Sequence, residues 1–264
     1  MLRSVKDMIG YPIEATDGVV GKVKDALFDD RHWRLRYVVV DTGTWLPKKK
    51  VLLSPFHLKE LETGWVGNCL KVVLNKAQVE GSPELKEHEP VSMQFEEEYA
   101  KYYDLPTYWM DPYLFGGAAI PSSIGPEYSP KGEAERQAHE FRMRQIAGEH
   151  LRSAHEIMGY HIHAKDDSFG HVEDFVLDDS NWRLQYLVID TKNWLPGKPS
   201  LIDIGWAESF DWETKTANVD LTRKQIEMAP RFDSFDPVNE DENHKLYDYY
   251  GKPRDWETPA APLF

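Results

Sequence analysis

The chain writes one sentence twice. "DDRHWRLRYVVVDTGTWLP", Asp29 to Pro47, returns as "DDSNWRLQYLVIDTKNWLP", Asp178 to Pro196. The match begins with "LRSVKDMIGY" against "LRSAHEIMGY" and keeps a constant offset of 149 residues, with half of the positions from Leu2 to Leu52 identical. After two residues are lost it resumes at an offset of 147, where "LNKAQVEGSP" (Leu74–Pro83) faces "LTRKQIEMAP" (Leu221–Pro230). It runs on to Trp109 and Trp256. A unit of about 105 residues is too long for a solenoid repeat and has the size of a self-sufficient domain. The predicted organisation is therefore 1–109 as one module, 110–150 as a connector, 151–256 as a second module, and 257–264 as a tail.

Within one copy the pattern is that of short strands. Asp17-Gly18 is a hairpin signal, and Val19, Gly21 and Val23 alternate with Val20, Lys22 and Lys24. "HWRLRYVVVDT" places Trp33, Leu35, Tyr37 and Val39 on one face with Arg34 and Arg36 opposite, and both faces become apolar at Val38 and Val40. Such a strand suits a small closed or nearly closed sheet. "KKVLLSP" and "WVGNCLKVVL" read as two more strands, the second alternating at Val66, Asn68, Leu70 and Val72. Asn75 and Thr222 stand where helix N-caps would. Phe95, Tyr99 and Tyr102 at i, i+4 and i+7 predict a helical stripe that stops near Pro106. In the second copy Asn239 and Glu242 have capping-box spacing, and Leu246 and Tyr249 carry the stripe. The fold class expected is mainly β with short helices: two tandem small barrels, each followed by a C-terminal helix.

Composition narrows the functions. There are 45 Asp and Glu against 31 Lys and Arg, for a net charge of −14. A phosphate backbone is bound by neutralising it with cations, so nucleic acid is not the expected partner. "LPKKKVLL", with Lys48, Lys49 and Lys50, is the only dense basic run, and the second copy has "LPGKPSL" there. The single Cys69 rules out an intramolecular disulfide and a cysteine zinc cluster. No segment approaches the ~20 apolar residues that span a bilayer, and "MLRSVKDMIG" lacks a signal-peptide core. The expectation is a bacterial, cytoplasmic protein, with peripheral membrane association left open.

The order G-Y-P-I, D-G, G-K-V, then "WRLRYVVVDTGTWLP", "VLLSP" and "LNKAQVEGSP", with "YYDLPTYW" trailing, resembles the PRC-barrel family. That family includes the cytoplasmic domain of the photosynthetic reaction-centre H subunit and the C-terminal domain of a ribosome-maturation factor. The resemblance covers both copies. It implies small β-barrels that serve as adaptor or docking modules without catalysis of their own. This chain lacks the membrane-spanning N-terminal helix of the H subunit, so a role in photosynthetic electron transfer rests on analogy alone.

Several residues could carry chemistry. Asp41 and Asp190 end the long strand in both copies and could be general bases, but Asp-Thr more often caps a loop through backbone amides. The pairs Asp29-Asp30 and Asp178-Asp179 could contribute to a Ca²⁺ site, yet they lack an EF-type spacing and read as turns. His161 and His163 share a strand face that His155 or His171 could approach to begin a metal site; a structural role is the plainer reading. Trp33 and Trp182 read as core. Trp45 and Trp194 fall in loops, where an exposed aromatic anchors a partner, and Trp109 and Trp256 recur at the copies' ends. No phosphate loop, nucleophile elbow or nucleotide fingerprint occurs, so no catalytic, cofactor-binding or metal residue is assigned.

The connector is rich in Pro, Gly and Ser, with Tyr113, Leu114, Phe115 and Ile120 in it. A surface helix is expected in its second part, carrying a Glu140–Arg144 pair. The function expected is a non-catalytic adaptor that docks a protein partner, self-association being open. The competing expectation is a small-molecule-binding or hydrolytic protein with its site between the barrels.

Overall fold

The computed structural model describes residues 2–46, 49–58, 69–85, 91–105, 151–190, 199–230 and 240–252. The chain is mainly β and divides into two units that do not follow chain order. One comprises residues 7–155 and 180–183, the other residues 1–6, 156–179 and 184–264.

In the first unit, β2 (Pro12–Ala15) and β3 (Gly18–Asp29) form the hairpin turned by Asp17-Gly18. Its predicted alternation is broken by a register shift between Ile13 and Glu14. A bulge adds one residue to a strand and re-aims its side chains, so Val20 and Val23 are both buried while Val19 stands in solvent. β3 pairs along its far edge with β4 (Arg34–Asp41), and β4 with β5 (Val51–Leu53). β2 pairs in parallel with β6 (Leu70–Lys71), which carries the predicted alternation on through buried Leu70 and Val72; Val66 and Asn68 lie outside the described residues. Gly21 sits where β3 crosses the end of β4. A Cβ there would lie 2.3 Å from the Asp41 carbonyl oxygen, so only glycine fits.

β3 is long enough that its edge, after β2, takes a further strand. That strand is β7 (Leu151–Ser153), the opening Leu-Arg-Ser of the second copy, paired with Leu27, Phe28 and Asp29. The other unit shows the reciprocal event. There β1 (Leu2–Ser4) pairs with Val176, Leu177 and Asp178 of β9 (Ser168–Asp178). Each copy has therefore given its first strand to the unit built from the other. Side chains seal both exchanges alike. Arg152 Nε donates to Asp30 at 2.9 Å, and Ser153 Oγ and His155 N donate to Asp25 at 2.6 and 3.1 Å. In the other unit Arg3 Nε donates to Asp179, and Ser4 Oγ and Lys6 N to Asp174, at 2.5, 2.5 and 2.8 Å.

The rest of the second unit repeats the pattern. β8 (His161–His163) pairs with β9, β9 neighbours β10 (Arg183–Asp190), and β10 pairs with β11 (Ser200–Asp203). β13 (Thr216–Val219) lies parallel to β8, as β6 does to β2, and β12 (Ala207–Asp211) pairs with β13. The predicted caps are present. Asn75 and Thr222 open α1 (Lys76–Glu80) and α3 (Arg223–Glu227) with capping boxes closed by Gln78 and Gln225.

Two expectations are corrected. Trp33 and Trp182 do not sit on the strand's buried face. β4 begins one residue later, and both tryptophans end the preceding turn in the left-handed region, with φ of 54° and 58°. Trp33 N donates to Asp29 O at 2.9 Å, and its ring, half-buried, stacks on Phe28. The helical stripes are also rotated. In α2 (Met93–Tyr103) Phe95, Glu96, Tyr99 and Ala100 are buried, whereas Tyr102 is exposed. In α4 (Glu240–Tyr250) Leu246, Tyr247 and Tyr250 are buried and Tyr249 is exposed. A buried hydrogen bond between helix and sheet sets the inward face in each. α2 packs with Leu27, Tyr37, Val39, Leu52, Leu85 and Val91 into one core.

Candidate functional site

One concavity in the described residues belongs to the first unit. It is a cleft of about 410 Å³ between the middle of β3, the end of β4, the loop that follows, and the donated β7. β3 supplies Lys24, Asp25 and Leu27, β4 supplies Val39, Val40 and Asp41, and β7 with the next residues supplies Ser153 and His155. Thr42, Gly43, Leu46, Lys49 and Lys50 complete the wall.

Local chemistry builds each part. The register of β3 against β4 shifts between Val23 and Asp25, so Lys24 is the extra residue of a bulge and is turned outward at the cleft. Asp41 closes the strand as the loop reading predicted: its Oδ1 accepts from Gly43 N at 2.9 Å, and Gly43 takes φ of 61°. Trp45 N donates to Thr42 O at 3.3 Å and Thr42 Oγ1 to Leu46 O at 3.2 Å, which folds the loop on itself. Lys49 is a wall element. Its ammonium donates to the carbonyls of Glu80 and Ser82 at 2.5 and 2.8 Å, and burial pushes its pKa below the usual lysine value against the pull of Glu84 and Glu80.

Of the tryptophans expected to meet a partner, Trp45 is on the same loop with 36% of its surface exposed. Trp109, Trp194 and Trp256 lie outside the described residues, as do the connector residues from Tyr113 to Arg144 and the Asn239 cap.

The acidic pair divides its labour. Asp29 is buried against Arg36, which donates through Nε at 2.7 Å and again through Nη2, while Arg31 N and His32 N donate to its other oxygen at 3.1 and 2.8 Å. Burial alone would raise its pKa; the Arg36 charge and the His32 amide outweigh it and hold the carboxyl below its ordinary value. Asp30 points the other way, to Arg152. Arg36, on the strand face opposite Leu35 and Tyr37, is thus 5% exposed, since the second face of β4 is covered as well.

His161 and His163 do share an outward face. His163 Nδ1 lies 2.6 Å from Ser168 Oγ, and His171, across from His161, has Nε2 3.6 Å from Asp190. His155 belongs to the other unit. Among the described residues no three potential ligands converge on a metal position.

The polar groups that sequence reasoning missed are internal. Tyr37 donates to Glu96 at 3.0 Å. Tyr99 donates to Leu52 O at 3.1 Å and accepts from Ser54 N at 3.0 Å, which leaves its second lone pair for His57 Nδ1–H at 3.2 Å. Burial lowers the His57 pKa to about 4 and raises that of Tyr99. The second unit pins its helix with Tyr247 donating to Asp203 and Tyr250 donating to Leu201 O at 3.3 Å. A phenol at the middle of an otherwise apolar strand and an acid on a helix face were the available signals.

These features define a strand-rich module closed by a tyrosine-bearing helix. Residues 2–66 match the family model of the PRC-barrel domain, so the chain carries that domain's sequence at its N-terminal end. The matched segment spans β1 to β5, and its first strand is the one given to the other unit. No curated protein matches the chain.

Proposed function

We propose that the chain is a non-catalytic adaptor with two PRC-type barrel modules, and that it docks a protein partner through the loop between β4 and β5. The observation that carries this reading is Trp45. A large aromatic ring, 36% exposed, is carried on a loop braced by Asp41 and Thr42, beside a cleft whose lining includes Leu27, Val39 and Leu46. A preordered aromatic loses little entropy on binding and removes much apolar area from water, which is why tryptophan dominates interface energetics. The two-module part of the reading is supported by the repeated sequence and by the matched strand order and reciprocal first strands of the two units.

In keeping with a docking role, the buried acids and phenols near the trailing helices are engaged in holding those helices. No helix among the described residues is long and apolar enough to cross a membrane. The test is co-purification from an extract of the source cells, comparing the native chain with Trp45→Ala, an exposed change that leaves the melting curve in place. A stoichiometric protein lost with Trp45→Ala supports the reading. Partners recovered equally by both chains, or none recovered by either, overturn it.

A further inference from the structure

We infer that Arg34 and Arg183 together form a binding site for a phosphate group, a site that the docking reading does not use. Strand register sets the two arginines directly opposite each other, on β4 and β10. Leu35 N donates to Trp182 O at 2.8 Å beside them, and residues 180–183 belong to the same unit as β4. Opposed residues of an antiparallel pair share a face with Cβ atoms about 5 Å apart, where like charges repel and destabilise the pairing. Both guanidiniums can therefore reach one anion. Arg183 is exposed and Arg34 half-buried, so the pair stands at the surface.

Among the described residues neither guanidinium makes an ion pair. Arg34 Nη1 donates to Asn181 O at 3.2 Å, a neutral acceptor that leaves the charge in place. Arg183 is held through its backbone, whose N–H donates to Asn181 Oδ1 at 2.9 Å. Neighbouring acids do not cancel the two charges. Asp29, the carboxylate whose charge bears on Arg34, is closed on by Arg36 in a buried ion pair, so three guanidiniums stand against one carboxylate. Asp30 and Asp179 each have an arginine of their own, Arg152 and Arg3. Counting Asp178, which ends the strand beside β10, still leaves the cations in excess. Burial, then the charges of Arg36 and Arg183, push the Arg34 pKa below the usual arginine value against the pull of Asp29.

The chemistry of the pair selects the ligand. One planar guanidinium fork fills a carboxylate with two parallel N–H bonds. Two forks on one face of a sheet offer more donors than a carboxylate accepts, and they suit a group with three terminal oxygens and two negative charges. Each copy supplies one fork from the same words, Trp-Arg-Leu. The sequence holds 45 Asp and Glu, yet among the described residues no carboxylate closes on either guanidinium.

The experiment follows the arginine side-chain NMR signals and the melting temperature of the full chain while inorganic phosphate, O-phosphoserine or acetate replaces chloride at constant ionic strength. A phosphate group is expected to shift the Nε–H signals of Arg34 and Arg183 together and to raise the melting temperature by mass action, and acetate to do neither. Shifts with phosphoserine support the reading with phosphate esters as the source; shifts with inorganic phosphate alone support it with the free ion. Arg183→Gln, at an exposed position, is expected to weaken that binding by about tenfold. By removing a like-charge neighbour it should melt no lower than the native chain in chloride. Shifts that are absent with both phosphates, that fall on other residues, that acetate reproduces, or that survive Arg183→Gln overturn the inference. So does a variant that melts lower in chloride, since Arg183 would then be holding the fold.

Discussion

Tyr37 on β4 donates its phenolic hydrogen to Glu96 on α2 across 3.0 Å of protein interior, and this bond decides which face of the helix turns inward. Glu96 is fully buried and Tyr37 nearly so. The second unit reverses the polarity, with the acid, Asp203, at the end of a strand and the phenol, Tyr247, on the helix. A bond to a buried carboxyl is worth more when lost than when made, because the orphaned group keeps its desolvation cost.

Tyr37→Phe should therefore destabilise the chain by about 1–3 kcal/mol, read from chemical denaturation, even though it removes one oxygen atom from an otherwise intact core. An unchanged midpoint would show that the bond does not hold the helix.

Asp29→Ala leaves the Arg36 guanidinium buried without its carboxylate. The expected loss is about 3 kcal/mol or more, larger than for Asp30→Ala, whose partner Arg152 is partly exposed. Because the folded-state pKa of Asp29 is lowered, its contribution is fully present above the ordinary carboxylate value and fades as pH falls through the folded value. The variant should lose part of the wild type's acid-induced destabilisation in that range.

His57 acts in a milder window. Its folded pKa of about 4 lies below the unfolded value near 6.5, so the unfolded chain takes up the proton first. Stability should decline from about pH 6.5 towards pH 4, by on the order of 3 kcal/mol at the lower end. His57→Phe removes the titration and should flatten that slope in urea melts across the interval. Trp206, the matched residue of the second copy, already fills the place with a group that cannot titrate, packing edge-on against Tyr247 and Tyr250. A slope that persists in the variant would place its origin elsewhere.

Cleavage between residues 106 and 150 should yield fragments that co-elute on a sizing column without denaturant, because residues 2–6 and 151–155 each lie in the unit built mainly from the other fragment. Adding Arg3→Ala and Arg152→Ala should speed their separation. Fragments of the singly cut chain that part at once would contradict the exchange.

The repeat was legible because it is written in identities. Asp17-Gly18, Asn75 and Thr222 were legible because a turn or a cap uses one side chain on its own backbone. Trp33 and Trp182 were misread since alternation cannot show that the chain takes a left-handed turn just before the strand. Tyr102 was misread because spacing favours an aromatic stripe, whereas the buried Tyr37–Glu96 bond turns the helix toward Glu96, Tyr99 and Ala100. The cleft was hidden too. Lys24 reaches it by a bulge, and Ser153 and His155 reach it from more than a hundred residues away.

The traded opening strands bear on how such a gene can change. A truncation that kept one copy would deprive it of the edge partner that the missing copy donates, exposing the backbone amides and carbonyls of Leu27–Asp29 or Val176–Asp178. Neither copy is then free to be discarded, and their divergence, Lys24 against Glu173 among other positions, is open to selection while the pair stays whole.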